Sequence, residues 1–414
     1  MPPTIKRITK SILSVLVLVW IILSFMIYLN QTNLVYVPSK TYIENYFGYV
    51  VLAIFLIQSF FVYKRIYLPK IYIGFFIFLL MSFIALFFYP SDDSFDLLLS
   101  LLQIFIFSIV VYNILIYNDS ALSLEIGIVF GLIYSVYIGY FVGRDFFTGF
   151  LTQRYSGTLA NPNHYSFMIT VALLFLIRRF LLFSRSRDKA NFYNYIIVFL
   201  ILVFSYEVIF YALSRQGILI VFILLLFLFY QTLSQSSNIN KIFIVLIFLS
   251  LFFYTYNTII NNELLYNRLG ALFSLFSTSD EFLIDNSLVY RFRYMIDAYK
   301  LWLEKPIFGY GLHQFKYVNN SGVSHNNFLE ILVNNGIIGF ISYYSLYIYI
   351  FKSYFLIRSY NRIDSNWLIT VLLMLFIADM TVISYIEKPN WLIFSTVLYV
   401  ISLYNKNQNI IIRI

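Results

Sequence analysis

Side chains that could do chemistry are gathered in three polar segments of an otherwise apolar chain, at 143–163, 214–217 and 257–325. These segments supply arginines, whose planar guanidinium groups can bind two oxygens of one anion. They also supply histidines, which can accept a proton near neutral pH. The chain contains 0 cysteines, which excludes a disulfide framework, a thiolate metal site and a cysteine nucleophile. The arginines and histidines could therefore bind anions and transfer protons, and whether they act together depends on how the fold positions them.

The longest of the three segments contains an amphipathic helix with two arginines near its start. Apolar residues recur at spacings of three and four over 287–304, Pro306 stops the helix, and the glycines at 309–311 predict a turn. We expect this helix to lie along the membrane interface. Arg291 and Arg293 fall in its first turns, where the positive end of the helix dipole would help them to bind an anion.

A histidine follows this segment, directly before a new apolar span. His325 and Asn326 lie at the mouth of the span, and Glu330 follows about one helical turn inside. Asn326 and Glu330 are four residues apart, so they share a face of the helix. Ionisable groups inside a membrane span are costly to bury, which makes them candidates for function.

Each of these side chains also has a purely structural interpretation. His325 could cap a helix at the interface, and Arg215 could extend from a helix end to the lipid headgroups. His164 is better explained as a residue at the start of a span, and His313 as a loop residue. The tight turn around Arg215 favours function, since lipid anchors at this level are usually aromatic.

The composition shows what kind of element must position these residues. Hydrophobic residues make up 61% of the 414 residues and charged residues 11%, and the mean hydropathy is +0.81. Soluble domains carry about 45–50% apolar and about 25% charged residues. A soluble enzyme, a disordered chain and a fibrous protein are therefore excluded. The long, continuous apolar runs also argue against a β-barrel, so the sequence predicts an all-α, polytopic membrane protein.

Twelve apolar runs are long enough to cross a membrane, although the eighth and the twelfth are short. We predict nine transmembrane helices in 1–256, a periplasmic loop domain with the amphipathic helix in 257–325, and three more transmembrane helices in 326–414. The predicted spans are 11–29, 47–63, 71–89, 97–117, 122–142, 164–183, 193–212, 216–231, 240–256, 326–350, 366–385 and 391–404.

The distribution of positive charge orients these helices. With both termini in the cytoplasm, 17 of the 28 lysines and arginines fall in inner segments, which are shorter than the outer ones. Topology thus explains most of the net charge of +9, and no nucleic-acid partner is needed. All three polar segments then lie on the outer face, where irregular backbone must be covered by protein or line a wet cavity.

Four segments together resemble the bacterial O-antigen ligase and polymerase superfamily, over roughly residues 150–340. Their order, spacing and common sidedness carry the resemblance. The family consists of multispanning glycosyltransferases of GT-C type, with a large periplasmic loop between the ninth and tenth spans. The segments are RYSGTLANPN at 154–163, SRQGIL at 214–219, Arg291 with PIFGYG at 306–311, and SHNNFLEIL at 324–332 with the glycines at 336 and 339.

The resemblance implies glycan transfer at the periplasmic face of the bacterial inner membrane. In this family the donor is a glycan linked to undecaprenyl diphosphate. The acceptor is a lipid A core sugar in ligases and a lipid-linked repeat unit in polymerases, which can also work with a chain-length regulator. Neither a metal nor another cofactor is implied. Ligase and polymerase remain nearly equal alternatives, with a slight preference for polymerase because the loop carries few distinguishing features.

The resemblance also assigns roles to individual residues. The family's basic residues correspond to Arg215 and Arg291, and its histidine corresponds to His325. The arginines would bind the diphosphate leaving group and stabilise the charge that develops on it. His325 would act as general base toward the acceptor hydroxyl, giving a single displacement with inversion.

Further residues join this hypothesis with supporting roles. Arg154 and Arg293 are additional candidates for the phosphate site. Asn163, Asn326 and Glu330 would hold sugar hydroxyls or orient His325.

Two other functions compete with glycan transfer. A flippase for the same lipid-linked sugar would place polar groups near mid-membrane and often shows internal repeats. We find no repeat, and the polar residues cluster at one face, which disfavours transport. A non-catalytic scaffold for polysaccharide assembly would not require His325, Arg215 and Arg291 on one side.

Overall fold

Helices form nearly all of the regular structure in a computed structural model of the chain. The only strands within the described residues are two short ones that pair with each other. The structure describes Val15, Val19 and residues 43–142, 162–186, 192–235, 238–274, 286–319, 323–405 and 408–413.

Contacts divide the chain into two compact units. Among the described residues, the first consists of those within Tyr42–Leu124 and Tyr290–Ile414, with Val15 and Val19, and the second of those within Glu125–Val289. This division follows packing, whereas the predicted domains 1–256, 257–325 and 326–414 follow topology and remain a prediction.

The first unit contains most of the helices that surround the predicted histidine. Its elements are α1 (Ile43–Gln58, continued by a π-helical turn, Ser59–Tyr63), β1 (Arg65–Pro69), α2 (Tyr72–Phe88), α3 (Asp92–Asn118), α10 (Asn286–Glu304, in this unit from Tyr290), α11 (Phe315–Val318), α12 (Asn327–Arg358), α13 (Arg362–Asp379), α14 (Lys388–Tyr404) and β2 (Asn409–Arg413).

The second unit contains the remaining described helices. They are α4 (Leu122–Val142, in this unit from Glu125), α5 (Pro162–Ser186), α6 (Phe192–Tyr206, continued by a π-helical turn, Glu207–Ala212), α7 (Arg215–Gln235), α8 (Asn238–Asn261) and α9 (Glu263–Ser274).

Each predicted span from the second to the twelfth overlaps a helix, which confirms an all-α membrane protein in general terms. The eleventh, 366–385, is wrong at its end, because α13 ends at Asp379 and residues 380–385 form the connection to α14. The first predicted span lies almost entirely outside the described residues, and the count of twelve remains a prediction. Four of the described helices are long and apolar enough to cross a membrane: Asp92–Asn118, Pro162–Ser184, Arg215–Ser234 and Asn327–Arg358.

Helix α14 lies at the centre of the first unit. It is apolar on all sides and is buried from Pro389 to Ser402, as expected for a helix with no face toward solvent or lipid. It packs on α3, while α12 packs on α2 and α13. Trp367 and Trp391, both fully buried, are among the largest side chains of this core.

A two-stranded sheet, which the sequence did not predict, joins two distant parts of this unit. Strands β1 and β2 pair antiparallel, with Arg65 opposite Arg413 and Pro69 opposite Asn409. The Tyr67 backbone N–H donates to the Asn113 side chain of α3 over 2.7 Å. The sheet therefore brings two of the predicted inner segments, 64–70 and the chain after 404, to the same end of the unit.

In the second unit, α5 packs on α6 and α7. Its Arg178 is buried and lies 3.2 Å from Glu125 of α4, and Arg179 lies 3.9 Å from the same carboxylate. The sequence explained these arginines by topology alone. Burial adds a second role, because a buried carboxylate requires a charged or hydrogen-bonding partner.

Candidate functional site

Helix α12 is broken at Gly336, where φ is 62° and ψ is −167°. The connection that follows α10 covers this break. The N–H groups of Tyr310 and Gly311 donate to the carbonyls of Val333 and Asn334 over 2.8 and 2.7 Å. The N–H of Ile337 donates to the Pro306 carbonyl over 2.9 Å. Backbone groups released by the break are thus satisfied by protein, as a membrane-embedded segment requires.

Two glycines permit this close contact between backbones. A Cβ at Gly336 would lie 2.2 Å from the Ile307 carbonyl oxygen, and one at Gly309 would lie 2.5 Å from that of Val333. Both residues also have left-handed φ values, which favour glycine. Two of the glycines that carry the sequence resemblance, Gly309 and Gly336, are therefore explained by one structural feature, the covered break in α12.

The first half of α12, residues 327–335, begins at the predicted catalytic histidine; we call it the half-helix. Asn326 caps it, since its Oδ1 accepts from the Leu329 N–H over 3.0 Å. The Ser324 hydroxyl donates to the Asn326 carbonyl, also over 3.0 Å. Between these two fixed residues His325 has a φ of 56°. A left-handed non-glycine backbone costs of order 1–3 kcal/mol and persists only where its surroundings enforce it.

Glu330 ties the histidine loop to the half-helix. The carboxylate is buried, with 2% of the residue exposed. Its Oε2 accepts from the Ser324 N–H over 3.0 Å, and its Oε1 accepts from the Asn334 amide over 3.1 Å. These bonds favour orientation of the His325 loop over direct contact with a sugar.

A second buried carboxylate supports the other side of the loop. Asp379, at the end of α13, is fully buried. It accepts hydrogen bonds from the hydroxyls of Tyr344 over 3.0 Å and Tyr347 over 2.7 Å, and from the Ser384 hydroxyl.

Asn327 connects this carboxylate to the start of the half-helix. Its amide donates to the Tyr344 hydroxyl over 2.9 Å. Its Oδ1 accepts from the N–H groups of Ser384 and Tyr385 over 2.9 and 3.1 Å. The residue two positions after His325 is thus bonded to the α13–α14 connection and, through Tyr344, to Asp379. Sequence reasoning missed Asp379, although it lies inside the predicted span 366–385 and the argument used for Glu330 applies to it equally.

Helix α10, Asn286–Glu304, agrees in its bounds with the predicted amphipathic helix, and the side that carries Ala298 packs beside the half-helix. Buried Ala298 of α10 clusters with Tyr310, Phe315 and Val333, and Tyr294 and Leu329 pack against the same cluster. The connection after α10 bonds to residues 333–338, so these contacts favour an antiparallel arrangement of α10 and the half-helix. The start of α10 then lies toward His325.

This packing separates the two arginines near the start of α10. Arg291 is three and seven residues before Tyr294 and Ala298, so it lies on the packed face, and it is half-buried. Arg293 lies on the opposite face and is exposed. The geometry therefore favours Arg291 as the cation that can reach the histidine loop.

The connection between α10 and α11 is attached to the start of α3. Its Gln314 side chain donates to the Ser94 hydroxyl over 3.0 Å. The hydroxyl of Tyr317 donates to Asp93 over 2.6 Å, and this bond raises the pKa of Tyr317 above its usual range. His313 lies 3.9 Å from the same carboxylate, in keeping with its interpretation as a loop residue.

In the second unit, Arg215 is held at the first position of α7. The preceding residue, Ser214, donates its hydroxyl to Asn163 over 3.1 Å and accepts from the Gly217 N–H over 3.3 Å. The Arg215 Nε donates to the Arg268 carbonyl over 2.7 Å. The structure thus brings Asn163 to the Arg215 turn. Arg154 lies outside the described residues.

Residues 196–344 match a family model described as O-antigen ligase. This match confirms the resemblance to the O-antigen ligase and polymerase superfamily. It indicates glycan transfer of the O-antigen ligase or polymerase type, by a membrane enzyme of the glycosyltransferase kind that uses a lipid-linked donor and acceptor. Comparison with curated proteins gave no significant match.

The stretch that matches the O-antigen ligase model contains only part of the candidate site. The covered stretch ends inside α12, so it includes the break at Gly336 and excludes Asp379. Within the described residues no group of three histidine, aspartate or glutamate side chains could hold a metal ion. The covered candidates are Arg215, Arg291, Arg293, His325, Asn326 and Glu330, and those outside are Arg154 and Asn163.

Proposed function

We propose that the protein transfers a glycan from undecaprenyl diphosphate to a sugar hydroxyl at the periplasmic face of the bacterial inner membrane. The transfer inverts the anomeric carbon and proceeds without a metal or another cofactor. One observation carries the proposal: a histidine with a left-handed backbone is held at the start of a broken, covered half-helix by bonds to the residues on both sides of it.

His325 is the general base in this proposal. Ser324 and Asn326 flank it and bond to each other, and Asn327 fixes the start of the helix that follows. A fixed imidazole can meet the acceptor hydroxyl in a reproducible geometry, which general-base catalysis needs. Glu330, Asn326 and Asn163 are positioning residues or contacts for sugar hydroxyls.

Arginines bind the diphosphate leaving group. Arg291 lies on the face of α10 that packs on the half-helix, and the positive end of the half-helix dipole lies beside His325. Both features favour an anion at this place. Arg215 has the same role on the strength of its family motif, and its bond to the Arg268 carbonyl orients the guanidinium plane. Arg154 and Arg293 remain secondary candidates.

A purified-protein assay with a fluorescent lipid-linked glycan tests the proposal. We expect His325→Ala to lose glycan transfer by about 10²–10⁴-fold while donor binding persists, because a general base contributes about this factor. His313→Ala, a loop histidine 3.9 Å from Asp93, is the matched control and should keep activity. Full activity of His325→Ala would show that the base is another group.

The same assay distinguishes the competing functions. Translocation of the labelled lipid without transfer would indicate a flippase, and neither activity would indicate a scaffold. Deletion of the gene separates polymerase from ligase. A single repeat unit on the lipid A core would show that a polymerase was lost. Long lipid-linked chains with bare core would show that a ligase was lost.

A further inference from the structure

The β1–β2 sheet places two arginines side by side. Arg65 lies directly opposite Arg413, and Ile66 lies opposite Ile412. Directly opposed residues of an antiparallel pair lie on one face, with Cβ atoms about 4.5–5.5 Å apart. Since successive residues alternate between faces, the guanidinium groups share one face with Tyr67 and Ile411, and Ile66 and Ile412 lie on the other face.

Like charges in this arrangement repel each other unless an anion lies between them. Both arginines are exposed, and Lys64 beside them is exposed as well. Arg65 donates to the Tyr67 hydroxyl over 3.1 Å. Across the described part of the chain, no carboxylate forms an ion pair with either arginine, and neither strand contains Asp or Glu. The arrangement therefore favours an anion from outside the chain.

The other face of the sheet is apolar, and its β2 side chains are exposed. Ile410 is 38% exposed and Ile412 is 48% exposed. Their partners across the sheet, Leu68 and Ile66, are half-buried. An exposed apolar face beside a pair of cations matches the membrane interface, where acyl chains cover apolar side chains and phosphates contact cations.

A recess at the far end of the sheet adds further polar groups. Its volume is about 350 Å³. Gln408 in its wall accepts from the Tyr349 hydroxyl over 2.5 Å, which fixes the wall, and Lys70 is exposed at its edge. The recess is lined by Pro69, Lys70, Ile71, Tyr349, Asn405 and Gln408.

The sheet lies away from the proposed transfer site. Two residues separate β1 from the start of α2, whereas the turn after α2 accepts a hydrogen bond from Gln314, in the connection between α10 and α11. The two sites therefore lie at opposite ends of α2. In the predicted topology the sheet faces the cytoplasmic leaflet, which carries the anionic lipids.

We propose that the β1–β2 sheet binds anionic phospholipids of the cytoplasmic leaflet. A headgroup phosphate lies between Arg65 and Arg413, and an acyl chain covers the opposite face of the sheet, which carries Ile410 and Ile412. The proposal is independent of glycan transfer, because its readout is lipid binding.

Native mass spectrometry of the full chain, titrated with phosphatidylglycerol or phosphatidylcholine, tests it. We expect selective binding of phosphatidylglycerol and a loss of roughly 30-fold in Arg65→Gln/Arg413→Gln, because each cation near an anionic lipid contributes about 1 kcal/mol and about 1.4 kcal/mol is tenfold. Lys352→Gln/Arg358→Gln removes two cations from the same predicted side and should keep wild-type binding. Soluble glycerol 3-phosphate should not compete.

Three results would overturn this assignment. The first is an equal loss of phosphatidylglycerol binding in the two glutamine double variants. The second is equal binding of both lipids by the wild type. The third is full competition by glycerol 3-phosphate, which would indicate a phosphate site without a lipid role. Should the glutamine variant fail to fold, Arg65→Lys/Arg413→Lys keeps both charges and should keep binding. Loss of binding in that folded variant would also count against the proposal.

Discussion

At the scale of single residues, His325 depends on two buried carboxylates that never reach the surface. Glu330 bonds to the backbone before the histidine, and Asp379 bonds through Tyr344 to Asn327 after it. Satisfied polar networks of this kind hold a unique geometry, whereas partly satisfied ones are costly. The base is thus held by charge and hydrogen bonding rather than by apolar packing alone.

Asp379→Asn tests whether this support matters for catalysis. The amide keeps the volume but presents only one acceptor oxygen to three hydroxyl donors. A small displacement of a reacting group can cost about 10²-fold, so we expect kcat to fall by about this factor, with KM for the donor little changed. Steady-state kinetics in detergent or proteoliposomes measures both values.

Asp364→Asn is the matched control for this change. Asp364 is also a buried aspartate of α13, 3% exposed, and it accepts from the Tyr404 hydroxyl over 2.7 Å. It lies at the other end of the same helix, so any loss of stability should not lower kcat selectively. Equal kcat loss in the two variants, or a loss confined to KM, would argue against a positioning role for Asp379.

At the scale of elements, the break in α12 and its cover form one unit. The connection at 305–311 replaces the missing helical hydrogen bonds, and the same connection directs α10 back along the half-helix. The amphipathic helix is therefore fixed at its far end by the break itself. This coupling explains why the resemblance includes both the turn after α10 and Gly336 within α12.

Gly336→Ala tests how much the close contact between the break and its cover contributes to stability, beyond the backbone strain of a residue with positive φ. A methyl group at Gly336 meets backbone at 2.2 Å, while one at Gly311 meets its nearest atom, a flexible side chain, at 3.4 Å; both residues have positive φ. We expect Gly311→Ala to cost about 1 kcal/mol from backbone strain and Gly336→Ala distinctly more. Thermal unfolding in detergent, followed by circular dichroism, measures the difference. Equal unfolding midpoints for the two variants would mean that the connection over the break moves at little cost to accommodate the methyl group.

The sequence predicted the parts of this arrangement that depend on local pattern. Periodicity located α10, the turn after Pro306 and the start of α12 at Asn327, because each is decided within a few residues. It could not locate the break at Gly336, whose cover comes from another element. Nor could it find the bond from Asn327 to the α13–α14 connection or the pairing of β1 with β2, which join residues far apart in the chain. The sequence likewise could not show that Arg291, and not Arg293, lies on the packed face of α10, because that depends on where the half-helix packs.

At the scale of the whole molecule, the first unit has two chemically different ends. One end carries the β1–β2 sheet with its basic residues, and the other carries the His325 loop, α10 and the turn after α2. In the predicted orientation the sheet end faces the cytoplasm and the His325 end faces the periplasm. The orientation was predicted from the distribution of charge, and the proposed reaction requires that orientation. A direct measurement of orientation therefore tests the roles proposed for His325 and the arginines.

The absence of cysteine from the sequence makes that test clean, because a single introduced thiol is the only one to react. Lys300 on α10 and Tyr360 between α12 and α13 are both exposed. We expect a membrane-impermeant maleimide to label Lys300→Cys in intact spheroplasts and Tyr360→Cys only after the membrane is opened. A permeant maleimide on each variant controls for thiol accessibility. The reverse pattern would place His325 and Arg291 in the cytoplasm, where a periplasmic glycan acceptor cannot reach them, and would overturn the proposed reaction.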